Sequence, residues 1–151
     1  MTHWAVIIEA VAVAVSGDQD RGVELLARRW DGTRERDAAQ RCVVAHYLAD
    51  LQSTVDSEVA WDEAALLAFA EVAETDLTPV GILSARALEP SLRLNLGDGY
   101  RRQGRIDKAR AQAIAGQVSA DLLPEDGYGA MIRTGLTRLL ERLDQLTESG
   151  I

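Results

Sequence analysis

Two side chains suited to catalysis lie four residues apart in the sequence. His46 and Asp50 would share one face of a helix, because residues at i and i+4 are neighbours on a helix surface. An imidazole beside a carboxylate can act as a general base or offer two metal ligands. A metal site needs a third ligand, and the only other histidine, His3, is close to the N-terminal end. The pair is compatible with a small-molecule enzyme, but we favour a His46–Asp50 hydrogen bond that stabilises its helix.

The motifs that usually accompany catalysis are missing from the sequence. It contains no glycine-rich phosphate loop, no G-x-S-x-G elbow and no H-E-x-x-H pair. Its single cysteine, Cys42, cannot close an intramolecular disulfide or supply a multi-cysteine zinc site, and we interpret it as a small core residue. We therefore expect a non-catalytic protein of the reducing cytoplasm, with no cofactor and no metal.

The charge is unevenly distributed along the 151 residues, whose formal net charge is −8. Residues 1–80 hold 6 basic and 15 acidic residues, a net charge of −9, whereas residues 81–151 hold 10 and 9, a net charge of +1. Residues 86–110 alone carry 7 basic and 3 acidic residues, a net charge of +4. This stretch could meet an acidic partner, or it could pair with the acidic N-terminal half within the chain or between protomers. Nucleic acid and membranes are not expected partners, since binding them needs an overall basic face.

The composition predicts an all-α protein. There are 23 Ala and 19 Leu but only one Phe, and β-branched and aromatic residues are comparatively few. The apolar run from Trp4 to Val15 is too short to span a bilayer and has no basic segment before it, so it predicts a helix rather than a membrane span or signal peptide. Glycine, proline and capping residues divide the chain into about seven helices, which we place at about 4–15, 18–30, 35–53, 56–73, 90–103, 107–120 and 128–146. Residues 80–89 could be a short helix or an extended segment.

Helical spacing also predicts which side chains face the core. In the fourth helix the predicted inward residues are Val59, Ala60, Leu66, Leu67, Phe69 and Val72. In the last helix they are Met131, Ile132, Leu136, Leu139, Leu140 and Leu143. We interpret Trp61, at the start of the fourth helix, as a packing anchor between helices rather than a recognition residue.

One segment carries a recognisable pattern. From Leu96 the chain reads L-G-x-x-Y-x-x-x-G-x-x-x-x-A, ending at Ala109, and Pro90 and Pro124 are 34 residues apart. This pattern resembles the tetratricopeptide signature. A small Gly97 permits close approach of the partner helix, Tyr100 fills the space beside it, and Gly104 makes the turn. Residues 45–52, 60–62 and 90–97 are also similar to small actinobacterial tetratricopeptide-like proteins, although Arg93 and Ala113 depart from the usual aromatic positions.

The resemblance implies a particular architecture. Antiparallel helical hairpins would stack as a short right-handed solenoid in a single domain spanning residues 1–151. The best-matching repeat would be residues 90–123, and a helix at about 126–147 would cap the exposed apolar end.

The resemblance also implies a concave binding face and a function. The residues carried onto that face are His46, Asp50, Asn95, Asp98, Arg101 and Arg102. Arg101 and Arg102 could hold a partner carboxylate, or they could pair with Asp98 or Asp107 on a solvated face. We expect a protein–protein interaction module that binds a peptide or protein segment, which could be acidic. A structural homodimer is the alternative, and the enzyme using His46 and Asp50 is the third hypothesis.

Overall fold

The computed structural model describes residues 3–148, and this part of the chain is helical without a strand. Its seven α-helices are α1 His3–Val15, α2 Gln19–Asp31, α3 Ala38–Asp50, α4 Val55–Phe69, α5 Glu89–Arg102, α6 Ile106–Ala120 and α7 Gly127–Glu148. Two short 3₁₀ helices, Thr78–Val80 and Ala85–Leu88, lie between α4 and α5. The prediction of an all-α fold with about seven helices is confirmed.

The helix ends follow the capping residues in the sequence. Asp18 accepts a hydrogen bond from the Arg21 N–H at 3.3 Å, and Thr54 accepts one from the Ser57 N–H at 3.2 Å. Gly104 has a φ of +77°, which glycine adopts without a steric penalty, and it separates α5 from α6. The predicted third and fourth helices were too long, because turns take over at both ends of α3 and directly after Phe69.

The helices form two compact units, residues 1–85 and 86–151, of which 3–85 and 86–148 are described. In the first unit, α1 pairs with α2, α3 pairs with α4, and α2 also packs on α3. The α1–α2 crossing is close, because a Cβ added at Gly22 would lie 2.7 Å from the Ala14 Cα. The most deeply buried large side chains of this unit are Ile7, Leu26, Val44, Leu48, Val59 and Leu77.

In the second unit, α5 and α6 form a hairpin, and α7 packs on both. Gly97 lies at the crossing, where an added Cβ would be 2.9 Å from the Leu139 Cδ2 and 3.3 Å from the Ala109 carbonyl oxygen. Tyr100 and Ala109 are also buried. The predicted close approach of the partner helix at Gly97 is therefore confirmed within the hairpin. The prediction of one domain and the predicted solenoid both stay predictions.

Three predicted core residues are exposed. Met131 in α7 is 60% exposed, while Ile132, Leu136, Leu139 and Leu143 are buried as predicted. Leu67 in α4 is 77% exposed, and Ala60 is also exposed. The buried positions of α4 are Val59, Asp62 and Ala65, and Leu67 is rotated by about 200° from Ala65 at 3.6 residues per turn. The buried face of α4 therefore includes Asp62 and leaves Leu67 on the outer side.

No helix within residues 3–148 combines the length and the hydropathy that a membrane crossing requires.

Candidate functional site

His46 and Asp50 lie on α3, as predicted, in the first unit. The His46 Nδ1 is buried and has no hydrogen-bond partner within residues 3–148, so the expected satisfied hydrogen bond is wrong at this nitrogen. The His46 ring meets the Tyr47 ring edge-on, with their centroids 5.4 Å apart. No group of three or more His, Cys, Asp or Glu side chains suited to a metal ion occurs in the described part of the chain.

The two side chains influence each other through charge. Burial lowers the pKa of His46, and the negative charge of Asp50 opposes that shift. Asp50 is exposed as a residue, yet protein atoms displace part of the water around its carboxylate and raise its pKa. The charge of His46 lowers the pKa of Asp50, and the nearby Glu58 raises it. Burial is the larger of the two effects on His46, so the surroundings of its ring favour the neutral form.

The other four predicted site residues lie on α5, in the second unit. Asp98 accepts hydrogen bonds from the Nε of Arg101 at 3.0 Å and the Nε of Arg102 at 3.1 Å. Asn95 is half-buried on the same helix. Both arginines are therefore paired with Asp98 on their own helix, and a partner carboxylate would have to compete with Asp98 for them.

Other basic side chains of the 86–110 stretch are also paired inside the second unit. Arg93 contacts Glu89 at 3.1 Å, and Arg110 on α6 contacts Asp144 on α7 at 2.6 Å. Much of the local positive charge is thus balanced by neighbouring carboxylates of the same unit.

A different cluster, centred on Trp30, joins three helices of the first unit. Trp30 at the end of α2 meets Trp61 of α4 edge-to-face, with ring centroids 5.1 Å apart and planes at 85°. Trp61 is therefore confirmed as a packing anchor. The Arg41 guanidinium carbon from α3 lies 4.6 Å from the Trp30 ring centroid, a cation–π distance.

Thr33 holds Arg41 in this position. The buried Thr33 hydroxyl donates to the Trp30 carbonyl oxygen at 2.7 Å and accepts from the Arg41 Nε at 2.9 Å. The Arg41 Nη2 also donates to the Thr33 carbonyl oxygen at 3.3 Å. Because the guanidinium is held by the α2–α3 loop and by the ring, the wall that it forms is pre-organised.

This cluster borders an apolar groove of about 460 Å³, which we call the Trp30 groove. Its apolar lining consists of Trp30, Ala38, Ala64, Leu67, Ala68 and Ala70. Its charged lining residues are Glu35, Arg41 and Glu71. The volume is within the range of about 300–1,000 Å³ that is usual for ligand sites.

The Trp30 groove was missed from the sequence. Its lining comes from the end of α2, the start of α3 and the end of α4, so no local motif marks it. The structure buries Asp62, and the rotation of α4 that does so places Leu67 on the outer side. The sequence showed the apolar residues but not the rotation of the helix.

No protein-family model, curated protein or solved structure matches this chain. The tetratricopeptide resemblance and the concave face derived from it therefore stay predictions.

Proposed function

We propose that the protein is a non-catalytic protein–protein interaction module that holds a peptide or protein segment in the Trp30 groove. The observation that carries the proposal is the 77% exposure of Leu67 at the edge of an apolar groove. A large apolar side chain left in water beside a concave apolar surface is typical of an interaction site, because covering it removes apolar area from water.

The rigid walls of the groove support the same proposal. The Trp30 ring contacts both Trp61 and the Arg41 guanidinium, and Thr33 ties Arg41 to the loop that joins α2 to α3. A pre-organised site loses less conformational entropy when it binds a partner. Tryptophan and arginine are also the residue types enriched among those that dominate binding energy at interfaces.

A peptide-display selection against the purified protein tests this function without assuming a sequence for the partner. Selected peptides should bind at least tenfold more weakly to the Leu67→Ser variant, because the apolar edge of the groove is lost. The matched control is Leu83→Ser, since Leu83 is 82% exposed in the same unit and does not line the groove. The proposal is overturned if no peptide is selected, or if the two variants bind the selected peptides equally.

A structural homodimer is the second candidate, and an exposed stripe on α6 favours it. Ala111, Ile114 and Val118 are exposed on α6 at spacings of three and four, and the exposed Leu122 follows in the turn after the helix. Sedimentation measures the oligomeric state directly. A concentration-dependent dimer that Val118→Asp abolishes would establish it, whereas a monomer at all concentrations would exclude it.

The remaining expectations belong to the same proposal. We place the protein in the cytoplasm, which is consistent with the buried and unpaired Cys42. An acidic partner at Arg101 and Arg102 stays a prediction, and its test is whether an acidic peptide loses affinity in the Arg101→Gln variant. The enzyme hypothesis for His46 and Asp50 also stays open to a substrate screen.

A further inference from the structure

Nearly all of the net negative charge of the first unit comes from residues 42–85, which supply part of the lining of the Trp30 groove. Residues 42–85 contain 8 Asp or Glu residues and no Lys or Arg, so the net charge of this stretch, −8, equals the net charge of the whole chain. This stretch includes all of α4 and the segment after it, which supply Ala64, Leu67 and Glu71 to the groove. A concave surface that carries a net negative charge attracts cations.

The charged lining of the groove is also net negative, with two glutamates and one arginine. Glu35 and Glu71 line the groove from two different sides, the α2–α3 loop and the end of α4, and both are exposed. Arg41 is the one basic residue of the lining, and its guanidinium is engaged by the Trp30 ring and by Thr33. Two exposed carboxylates therefore face an incoming ligand beside one arginine that already has partners.

From this arrangement we infer that the segment held in the Trp30 groove is basic, with Lys or Arg side chains flanking an apolar anchor. The inference rests on the proposed function, because it names the partner class of that same groove. The apolar side chain would lie against Trp30 and Leu67, and the flanking cations would approach Glu35 and Glu71. Burial of the apolar anchor supplies affinity, while the carboxylates supply steering and selectivity.

The basic stretch 86–110 of this protein is a poorer occupant than a separate basic segment. Arg101 and Arg102 are paired with Asp98, and Arg110 is paired with Asp144. Using these side chains in the groove would require breaking the ion pairs of the second unit. A partner with unpaired Lys or Arg side chains can bind without breaking ion pairs, so we infer that the partner is a different protein.

Two synthetic peptides of about 14 residues test the inference by fluorescence anisotropy. They share one helical pattern of Leu residues, and their polar positions are all Lys in one and all Glu in the other. We expect the Lys peptide to bind at least tenfold more tightly than the Glu peptide, and to weaken as NaCl rises from 50 to 300 mM. In the Leu67→Ser variant its binding should fall at least tenfold, while the Leu83→Ser variant should bind it as the wild type does.

A charge-matched pair of variants assigns the effect to the groove. The double variant Glu35→Gln, Glu71→Gln should bind the Lys peptide about fivefold more weakly. The control, Glu125→Gln with Glu141→Gln, removes two exposed carboxylates from the second unit and should leave binding unchanged. Equal loss in both double variants would overturn the inference, because it would indicate general attraction to an acidic protein.

The outcomes separate the inference from the function on which it rests. If both peptides bind equally and both lose binding in Leu67→Ser, the inference is overturned and the groove still holds a segment. If the Lys peptide binds regardless of Leu67, the inference and the groove are both overturned. If neither peptide binds, the inference is overturned, and the display selection decides the proposed function. Sedimentation of the protein alone identifies self-association, which would also overturn the inference if Leu67→Ser abolished it.

Discussion

Replacing His46 by leucine should remove a pH dependence of folding stability that arises from burial of the imidazole. An unfolded histidine titrates at about pH 6.5, and burial lowers the pKa of His46 in the folded chain. Below pH 6.5 the unfolded state therefore binds more protons than the folded state, and stability falls as the pH falls. The loss is at most about 1.4 kcal/mol for each pH unit, so it approaches about 1.4 kcal/mol between pH 7.5 and 5.5.

The unpaired Nδ1 adds a second expected effect at neutral pH. A buried polar atom without a hydrogen bond costs roughly 1–3 kcal/mol, and the His46 Nδ1 has no partner within residues 3–148. The leucine variant loses this penalty and should be at least as stable as the wild type at pH 7.5. We expect the unfolding free energy to rise by only about 1 kcal/mol, because leucine differs in shape from the imidazole ring and imperfect packing offsets part of the gain.

Urea denaturation between pH 7.5 and 5.5 measures both effects. His3→Gln is the matched control, because it removes the other histidine, which is exposed. Asp50 titrates in the opposite sense: its raised pKa gives stability at low pH that is lost as the pH rises through that pKa. Asp50→Asn removes this contribution and the opposing charge, so the His46 slope should become steeper. An unchanged slope in His46→Leu would refute the reasoning, as would a wild type that gains stability on acidification.

Three further predictions concern packing. Gly22→Ala should lower the unfolding free energy by about 2 kcal/mol or more in a urea titration, since the new Cβ would lie 2.7 Å from the backbone of α1. Gly32→Ala is the control: a Cβ there would have no contact under 3.5 Å, so the unfolding free energy should change by less than about 0.5 kcal/mol. Burial raises the pKa of the Cys42 thiol to about 12, so a thiol reagent at pH 8 should label it only as the protein unfolds, and fast labelling of the native protein would contradict this. In thermal unfolding, Leu136→Ala should lower the unfolding free energy by about 2–5 kcal/mol and Met131→Ala by less than about 0.5 kcal/mol, because only Leu136 is buried. Similar losses in the two variants would contradict the assignment of the buried face of α7.

Much of the fold could be predicted because its signals are local. Asp18 and Thr54 act as N-caps, and Gly104 adopts the positive φ that ends a helix, in each case through atoms within a few residues. The α5–α6 hairpin was predictable for the same reason, since Gly97 and Ala109 lie close in sequence across one short turn. The ends of α3 and α4 were less predictable, because their flanking residues are also good helix formers.

The face of a helix was harder to predict than its existence. Spacing alone favoured Leu67 as a core residue, since leucine is usually more buried than aspartate. The structure instead buries Asp62, which is 3% exposed and has an interaction partner, and the rotation that buries it carries Leu67 to the surface. A buried acid is tolerated only where the folded structure supplies an interaction partner, so the spacing of residues within one helix does not reveal it.

The same reasoning explains why the candidate site in the structure differs from the one predicted from the sequence. The sequence pointed to His46, Asp50, Arg101 and Arg102 because their side chains can act in catalysis or bind charged groups. In the structure, however, burial of the His46 ring favours its neutral form, and both arginines donate hydrogen bonds to Asp98. The Trp30 groove depends on Arg41 meeting Trp30, eleven positions earlier, and on Thr33 holding it there. Each of these residues is unremarkable alone in the sequence. Their combination leaves an apolar concavity with an exposed leucine and two exposed glutamates, and that combination, rather than any single reactive group, is what a partner segment would recognise.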